Sequence, residues 1–198
     1  MFQNSLIYRN IFLYRLVMKL LYKGEYYKRF ETVCKLIEGK KVTELCFGDL
    51  VVAKYCRQQN IEWTGIDVSK HFVRIAKRKG FKASVGDIHT LAEFPKADVC
   101  VMCGSLYHFV IDIDALFLKL LACAPRIIIS EPIHNLSERN DWIGALARKA
   151  ANVKGEKQGF RYTEETLLSA LNIVSKKFNF SFKVIEKQKK DIVVLIER

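Results

Sequence analysis

The segment Lys41–Asp67, KVTELCFGDLVVAKYCRQQNIEWTGID, decides how the rest of the chain is read. Val42 to Phe47 is a short apolar, β-branched run that stops at Gly48-Asp49, and Leu50 to Arg57 then takes up helical spacing. A second apolar run, Ile61 to Ile66, closes on Asp67. The spacing predicts strand, tight turn, helix, strand, which needs a right-handed crossover if the strands are parallel. A unit of this kind places a ligand at the carboxyl ends of its strands. Glu44 and Gly48 fall at the first of those ends and Asp67 at the second. Asp67 lies nineteen positions after Gly48, a spacing that suits a carboxylate accepting hydrogen bonds from two ribose hydroxyls.

Working outward, Ser69 is placed to N-cap a helix carrying Phe72, Ile75, Ala76 and Lys79 and ended by Gly80. A strand over Phe81 to Val85 follows and delivers Asp87. Ala97 to Cys103 is nearly all apolar, the pattern of a strand buried on both faces, and its exit, Gly104-Ser105-Leu106-Tyr107-His108-Phe109, is the natural place for chemistry. Asp112 to Ala124 reads as a helix, and Pro125 to Ser130 as a strand that ends at Glu131-Pro132. Helices are predicted over Ser137–Val153 and Thr163–Phe178, with Lys154 to Arg161 between them as a loop able to cover a substrate. Phe180–Glu186 and Asp191–Glu197 flank a polar turn as a hairpin at the sheet edge.

On the amino-terminal side, Leu6 to Lys23 forms an amphipathic basic helix, with Arg15, Lys19 and Lys23 on one face. Residues 4–23 are read in three ways: a lid on the core, a membrane-surface anchor, or a dimer contact. The stretch is too short and too charged to span a bilayer. Gly24 separates it from a second helix, Glu25 to Ile37. With no repeat and no linker, residues 1–198 are expected to form a single domain, with 1–39 as a helical lid or anchor segment.

Glu44-Leu45-Cys46-Phe47-Gly48-Asp49 resembles the first motif of the class I S-adenosylmethionine-dependent methyltransferases, and Gly65-Ile66-Asp67 resembles their second. Val85-Gly86-Asp87-Ile88 is similar to the segment whose carboxylate meets the adenine amine, and Ala97 to Phe109 to the fourth strand with its active-site loop. The first motif departs from the family pattern at Cys46 and Leu50, where glycine is usual. The resemblance implies a Rossmann-like, doubly wound α/β fold: a mostly parallel seven-stranded sheet with an antiparallel last strand and helices on both faces. It also implies S-adenosylmethionine as cofactor, bound by Glu44, Cys46, Gly48, Asp67, Val68, Asp87, Ile88, Cys103 and Gly104. Asp67 would take the ribose hydroxyls, Asp87 the adenine amine, and Glu44 the charged methionine end. Tyr26, Tyr27 and Arg29 lie where such enzymes cover their cofactor; the alternative is surface aromatics beside snorkelling basic stems.

Methyl transfer needs the donor held, the acceptor aligned and water excluded. His108 is the candidate base or acceptor-orienting group, and Glu131 and His134 are candidates for the acceptor pocket. His71 and His89 are read as surface residues without partners, and the four histidines show no metal-ligand spacing. The expected activity is transfer to oxygen or nitrogen of a small molecule, anionic or lipid- or glycan-linked. The rival is a catalytically weak or inactive binding module on the same scaffold, supported by the altered first motif and opposed by Asp67, Asp87 and the Ser-Leu-Tyr-His exit. A nicotinamide dehydrogenase would need G-x-G-x-x-G, and a phosphate-cradling loop would need G-x-x-x-x-G-K-[ST]; the sequence has neither.

The net charge of +12 draws anionic partners, yet the basic residues are spread over Arg74–Lys79, Lys154 and Lys157, and Lys187–Lys190. No block of arginines alternates with aromatics, which disfavours nucleic acid. Six cysteines sit in apolar segments, pointing to a reducing compartment and a cytoplasmic protein, peripheral at a membrane if residues 4–23 anchor it. Cys100-Val101-Met102-Cys103 lies on a strand, where side chains three apart face opposite ways, so both are read as buried free thiols.

Overall fold

The computed structural model describes residues 26–133, 160–188 and 190–198, together with Leu16. Apart from Leu16, the expected helix Leu6–Lys23 lies outside these, as do the expected helix Ser137–Val153, residues 154–159 of the loop and His134. The elements, in order, are α1 (Lys28–Lys35), β1 (Lys41–Leu45), α2 (Val51–Gln58), β2 (Glu62–Asp67), α3 (Lys70–Arg78), β3 (Lys82–Val85) and β4 (Val99–Cys103). A 3-10 turn (Leu106–Phe109), α4 (Ile113–Cys123), β5 (Arg126–Pro132), α5 (Glu164–Phe178), β6 (Ser181–Lys187) and β7 (Asp191–Glu197) follow.

The strands form one seven-stranded sheet in the order β3-β2-β1-β4-β5-β7-β6. The five strands from β3 to β5 are parallel, while β7 runs antiparallel to both β5 and β6. The fold is therefore the doubly wound one expected. Within the final hairpin, β6 is the edge strand and β7 lies between it and β5. The sequence explains this, since Ile192 to Ile196 is apolar throughout and fully covered, whereas β6 alternates between half-buried and exposed positions.

Period-two alternation divides the core into two layers. Val42, Val99, Val101, Ile128 and Val193 face α1, α2 and α3, while Leu45, Cys100, Met102, Ile127, Ile129 and Val194 face α4 and α5. Cys100 and Cys103 accordingly point to opposite sides, and all six cysteines are unpaired. Leu116, Phe117 and Leu120 of α4 are completely buried, each worth roughly 1.5–3 kcal/mol of transfer free energy. Ser69 caps α3 by accepting the Phe72 N–H, as expected. Thr163 and Thr166 cap α5 reciprocally, each hydroxyl accepting the other residue's N–H.

The segment before β1 is more deeply embedded than a loose cover. Phe30, Val33 and Ile37 enter the core, and Tyr26 and Arg29 are buried; of the aromatic and basic residues flagged there, only Tyr27 is exposed. The reading of Tyr26 and Arg29 as surface groups is thus corrected. Arg29 packs against the Tyr26 and Phe30 rings and pairs with Asp191 at the start of β7.

Candidate functional site

At the carboxyl end of β1 the chain turns through left-handed backbone at Cys46 (φ 54°) and Gly48 (φ 49°). The turn has the path that glycines favour, but one of its two left-handed positions carries a side chain. The Cys46 Sγ is hydrogen bonded to Ser105, and burial raises its thiol pKa far above the ordinary range. The Gly48 N–H donates to Asp67 Oδ2 at 3.0 Å, and the Ser69 N–H donates to Asp67 Oδ1 at 2.7 Å. Asp67 therefore ties the two strand ends together. Burial raises its pKa to about 6 against the lowering effect of those two donors. Each oxygen keeps a further lone pair for a ligand hydroxyl.

Glu44 is fully buried beneath this turn. Its Oε2 accepts the Trp63 indole N–H at 2.8 Å, and its Oε1 has no hydrogen-bond partner. Desolvation, with Asp49 and Asp67 nearby, holds its carboxyl well above the usual range despite the Trp63 bond. Gly65, opposite Glu44 on β2, keeps room for Trp63, because a Cβ there would lie 2.1 Å from the indole ring.

Beyond β3, Asp87 is half-buried and Ile88 buried, and Asp87 Oδ1 accepts the His89 N–H at 3.0 Å. This is the local turn chemistry that competes with an adenine role. The loop is fixed from α4 by Lys119, whose ammonium donates to the carbonyls of Ile88 (2.7 Å), Leu91 (2.9 Å) and His89 (3.4 Å). His89 also meets Asp112 at 3.1 Å and stacks on Phe109 at 4.5 Å, so the reading of it as partnerless is corrected. His71 is half-buried, and its Nε2 has no partner. Val68 is half-buried beside Asp67.

At the exit of β4, Cys103 and Gly104 are half-buried, and Gly104 (φ 66°) donates its N–H to the Ser130 carbonyl at 2.6 Å. The Arg29 guanidinium lies against Gly104, 3.2 Å from where a Cβ would stand. His108 is exposed on the 3-10 turn, with its ring 3.9 Å from that of Tyr107. Glu131 is fully buried beneath that turn, and its two oxygens accept the Leu106 and Tyr107 N–H groups at 2.9 and 3.1 Å. Burial raises its pKa to about 8, against the lowering effect of the two amides and Arg161. Glu131 thus holds the loop that bears His108.

Sequence reasoning did not single out Lys119, Asp191 or Arg161. Lys119 gave a signal, being the one charge within the apolar run Leu116 to Ala122. Two clefts among the described residues, one along α5 and one near Arg126 at the amino ends of the strands, lie away from this site. Among the described residues, no group of three or more His, Cys, Asp or Glu is placed to hold a metal ion, and no helix is long and apolar enough to cross a membrane.

Residues 44–124, from β1 to the end of α4, match the family model described as a methyltransferase domain. Over that stretch the chain is similar to methyltransferase domains. Its fold is similar to that of solved methyltransferases of low identity. The plantazolicin methyltransferase BpumL, solved with a monoazolic desmethylPZN analog and SAH, is 13% identical, with a TM-score of 0.67 over 93% of this chain and 89% of that one. Magnesium protoporphyrin IX methyltransferase (ChlM) from Synechocystis PCC 6803, with bound SAH, is 15% identical, with a TM-score of 0.61 over 96% and 88%. No curated protein matches the sequence. The acidic residues Glu44, Asp49, Asp67, Asp87 and Glu131 gather at the strand ends, although the whole chain is strongly basic.

Proposed function

We propose that this protein transfers a methyl group from S-adenosylmethionine to oxygen or nitrogen of a small-molecule acceptor. The carrying observation is the Asp67 carboxylate bonded to the Gly48 N–H at the junction of β1 and β2, within the matched domain. The residues present fit the cofactor in chemistry. Asp67 and Asp87 are carboxylates at successive strand ends, and the buried Glu44 Oε1 is an acceptor without a donor. Acidic lining favours a ligand with cationic sulfonium and ammonium groups.

When bound, the cofactor supplies an electrophilic methyl carbon on sulfur. Asp67 would accept hydrogen bonds from the ribose hydroxyls, with Val68 beside it. Asp87 would face the adenine amine over Ile88, and Glu44, Cys46, Gly48, Cys103 and Gly104 would surround the methionine end. His108, exposed on the turn clamped by Glu131, would take the acceptor's proton or orient its nucleophilic atom. The cytoplasm, where six unpaired thiols persist, is the expected setting.

Cys46 favours one second reading, a module that binds without efficient transfer, because its side chain occupies a left-handed turn position. Calorimetric titration with S-adenosylhomocysteine, beside NAD and on Asp67→Ala, separates the possibilities. Binding of the first ligand alone, weakened about tenfold (~1.4 kcal/mol) in the variant, supports the cofactor site. A folded protein that binds neither ligand overturns it. Saturable binding without turnover over a broad acceptor screen supports the module.

A further inference from the structure

We propose that Arg161 is the docking point for an anionic group, a carboxylate or a phosphate ester, carried by the methyl acceptor. This rests on the methyltransferase reading and narrows its substrate class.

The guanidinium of Arg161 lies over the Tyr107 ring, 3.5 Å from its centroid. Tyr107 stands on the turn that leaves β4, next to His108, and its own N–H is held by Glu131. Arg161 therefore sits at the mouth of the strand ends, on the acceptor side. One of its nitrogens donates to the Phe160 carbonyl at 2.8 Å, and no carboxylate among the described residues pairs with it. A guanidinium carries five N–H donors in a planar fork, and stacking on a ring leaves the edge of that fork open. That edge matches the two oxygens of a carboxylate or phosphate.

Three other described arginines are committed. Arg29 pairs with Asp191, and Arg126 pairs with Glu38 and Glu197. Arg57 donates to the Lys79 carbonyl and covers Phe81. Arg161 has a cation–π platform and a carbonyl tether but, among the described residues, no paired carboxylate. Arg161 acts at a distance on the Glu131 carboxyl, which is buried and takes its hydrogen bonds from Leu106 and Tyr107. The platform also orders the long side chain before a ligand arrives, so less rotamer entropy is lost on binding.

The test uses the whole protein saturated with S-adenosylhomocysteine and titrated with phenyl phosphate, benzoate and the neutral benzyl alcohol, followed by NMR shifts. We expect one of the two anions to bind at least tenfold tighter than benzyl alcohol, and the stronger of them to name the source of the negative charge. Arg161→Gln should remove that preference, Arg161→Lys should keep part of it, and both should bind S-adenosylhomocysteine within twofold of the parent. Equal binding of the neutral probe, no binding of either anion, or an undiminished preference in Arg161→Gln overturns the proposal. Failure to bind S-adenosylhomocysteine instead counts against the cofactor reading. The same anion titrations on the unloaded protein then decide Arg161 by the same criteria.

Discussion

Arg29 Nη1 and Asp191 Oδ1 lie 3.3 Å apart with both side chains 3% exposed, joining α1 to the first residue of β7 across 162 positions of sequence. A charge pair this deep contributes little beyond an apolar replacement, but removing one member strands the other. Arg29→Met should therefore cost about 3–5 kcal/mol in urea denaturation. The double change Arg29→Met with Asp191→Leu should recover most of that loss. A single-variant cost below about 1 kcal/mol would show that water reaches the pair.

Glu131 sets a pH dependence whose sign is fixed by its raised pKa. The folded carboxyl titrates at about 8 against an ordinary 4.5, so between these values the folded state holds more proton than the unfolded state. Its contribution is full below pH 4.5 and is lost as the pH rises through 8. Asp67, raised from 3.8 to about 6, adds a decline of the same sign at lower pH. Glu131→Gln should flatten the fall in stability above pH 6. At pH 5, where the Glu131 carboxyl is protonated and like the amide has one full acceptor oxygen for the Leu106 and Tyr107 N–H groups, the variant should lie within about 1 kcal/mol of the parent. Denaturation curves at pH 5, 6.5 and 8 decide this, and an unchanged slope would remove Glu131 as the cause.

Cys46 holds a left-handed φ of 54°, a conformation that costs an L-residue about 1–2 kcal/mol. Glycine removes this strain but loses about 0.5–1 kcal/mol in backbone entropy. Cys46→Gly should therefore leave stability unchanged or raise it by about 1 kcal/mol. By opening the turn it should also tighten S-adenosylhomocysteine severalfold by calorimetry. Weaker binding would mean that the thiol makes a favourable contact with the ligand.

The Tyr162 hydroxyl is buried with no hydrogen-bond partner among the described residues, and burial followed by the field of Glu131 raises its pKa. Tyr162→Phe should be neutral or stabilising by about 1 kcal/mol, raising the melting temperature by up to roughly 2–4 °C. A drop of several degrees would reveal a partner for the hydroxyl.

Elements whose apolar spacing and end signals agree were legible in the sequence. The Lys41–Asp67 unit, the Ser69 cap and the buried β4 all appear where periodicity puts them. The roles of residues in long-range pairs were not legible. Asp191 gives no local sign of meeting Arg29, and Glu131 gives none of turning inward to hold the Leu106 and Tyr107 amides. Glu44 was read for a ligand-facing role, and only the Trp63 packing across β2 shows how deeply it is buried. His89 looked partnerless because Asp112 and Phe109 reach it from another element.

The interior position of β7 bears on how the protein is made. During synthesis β5 is translated well before residues 191–197, and until they leave the ribosome its open side has nothing to pair with. A nascent chain stalled before that point exposes Ile127, Ile128 and Ile129 along an unprotected edge, a template for aggregation. Ribosome pauses over residues 160–190 should therefore be the points at which the nascent chain most needs a chaperone.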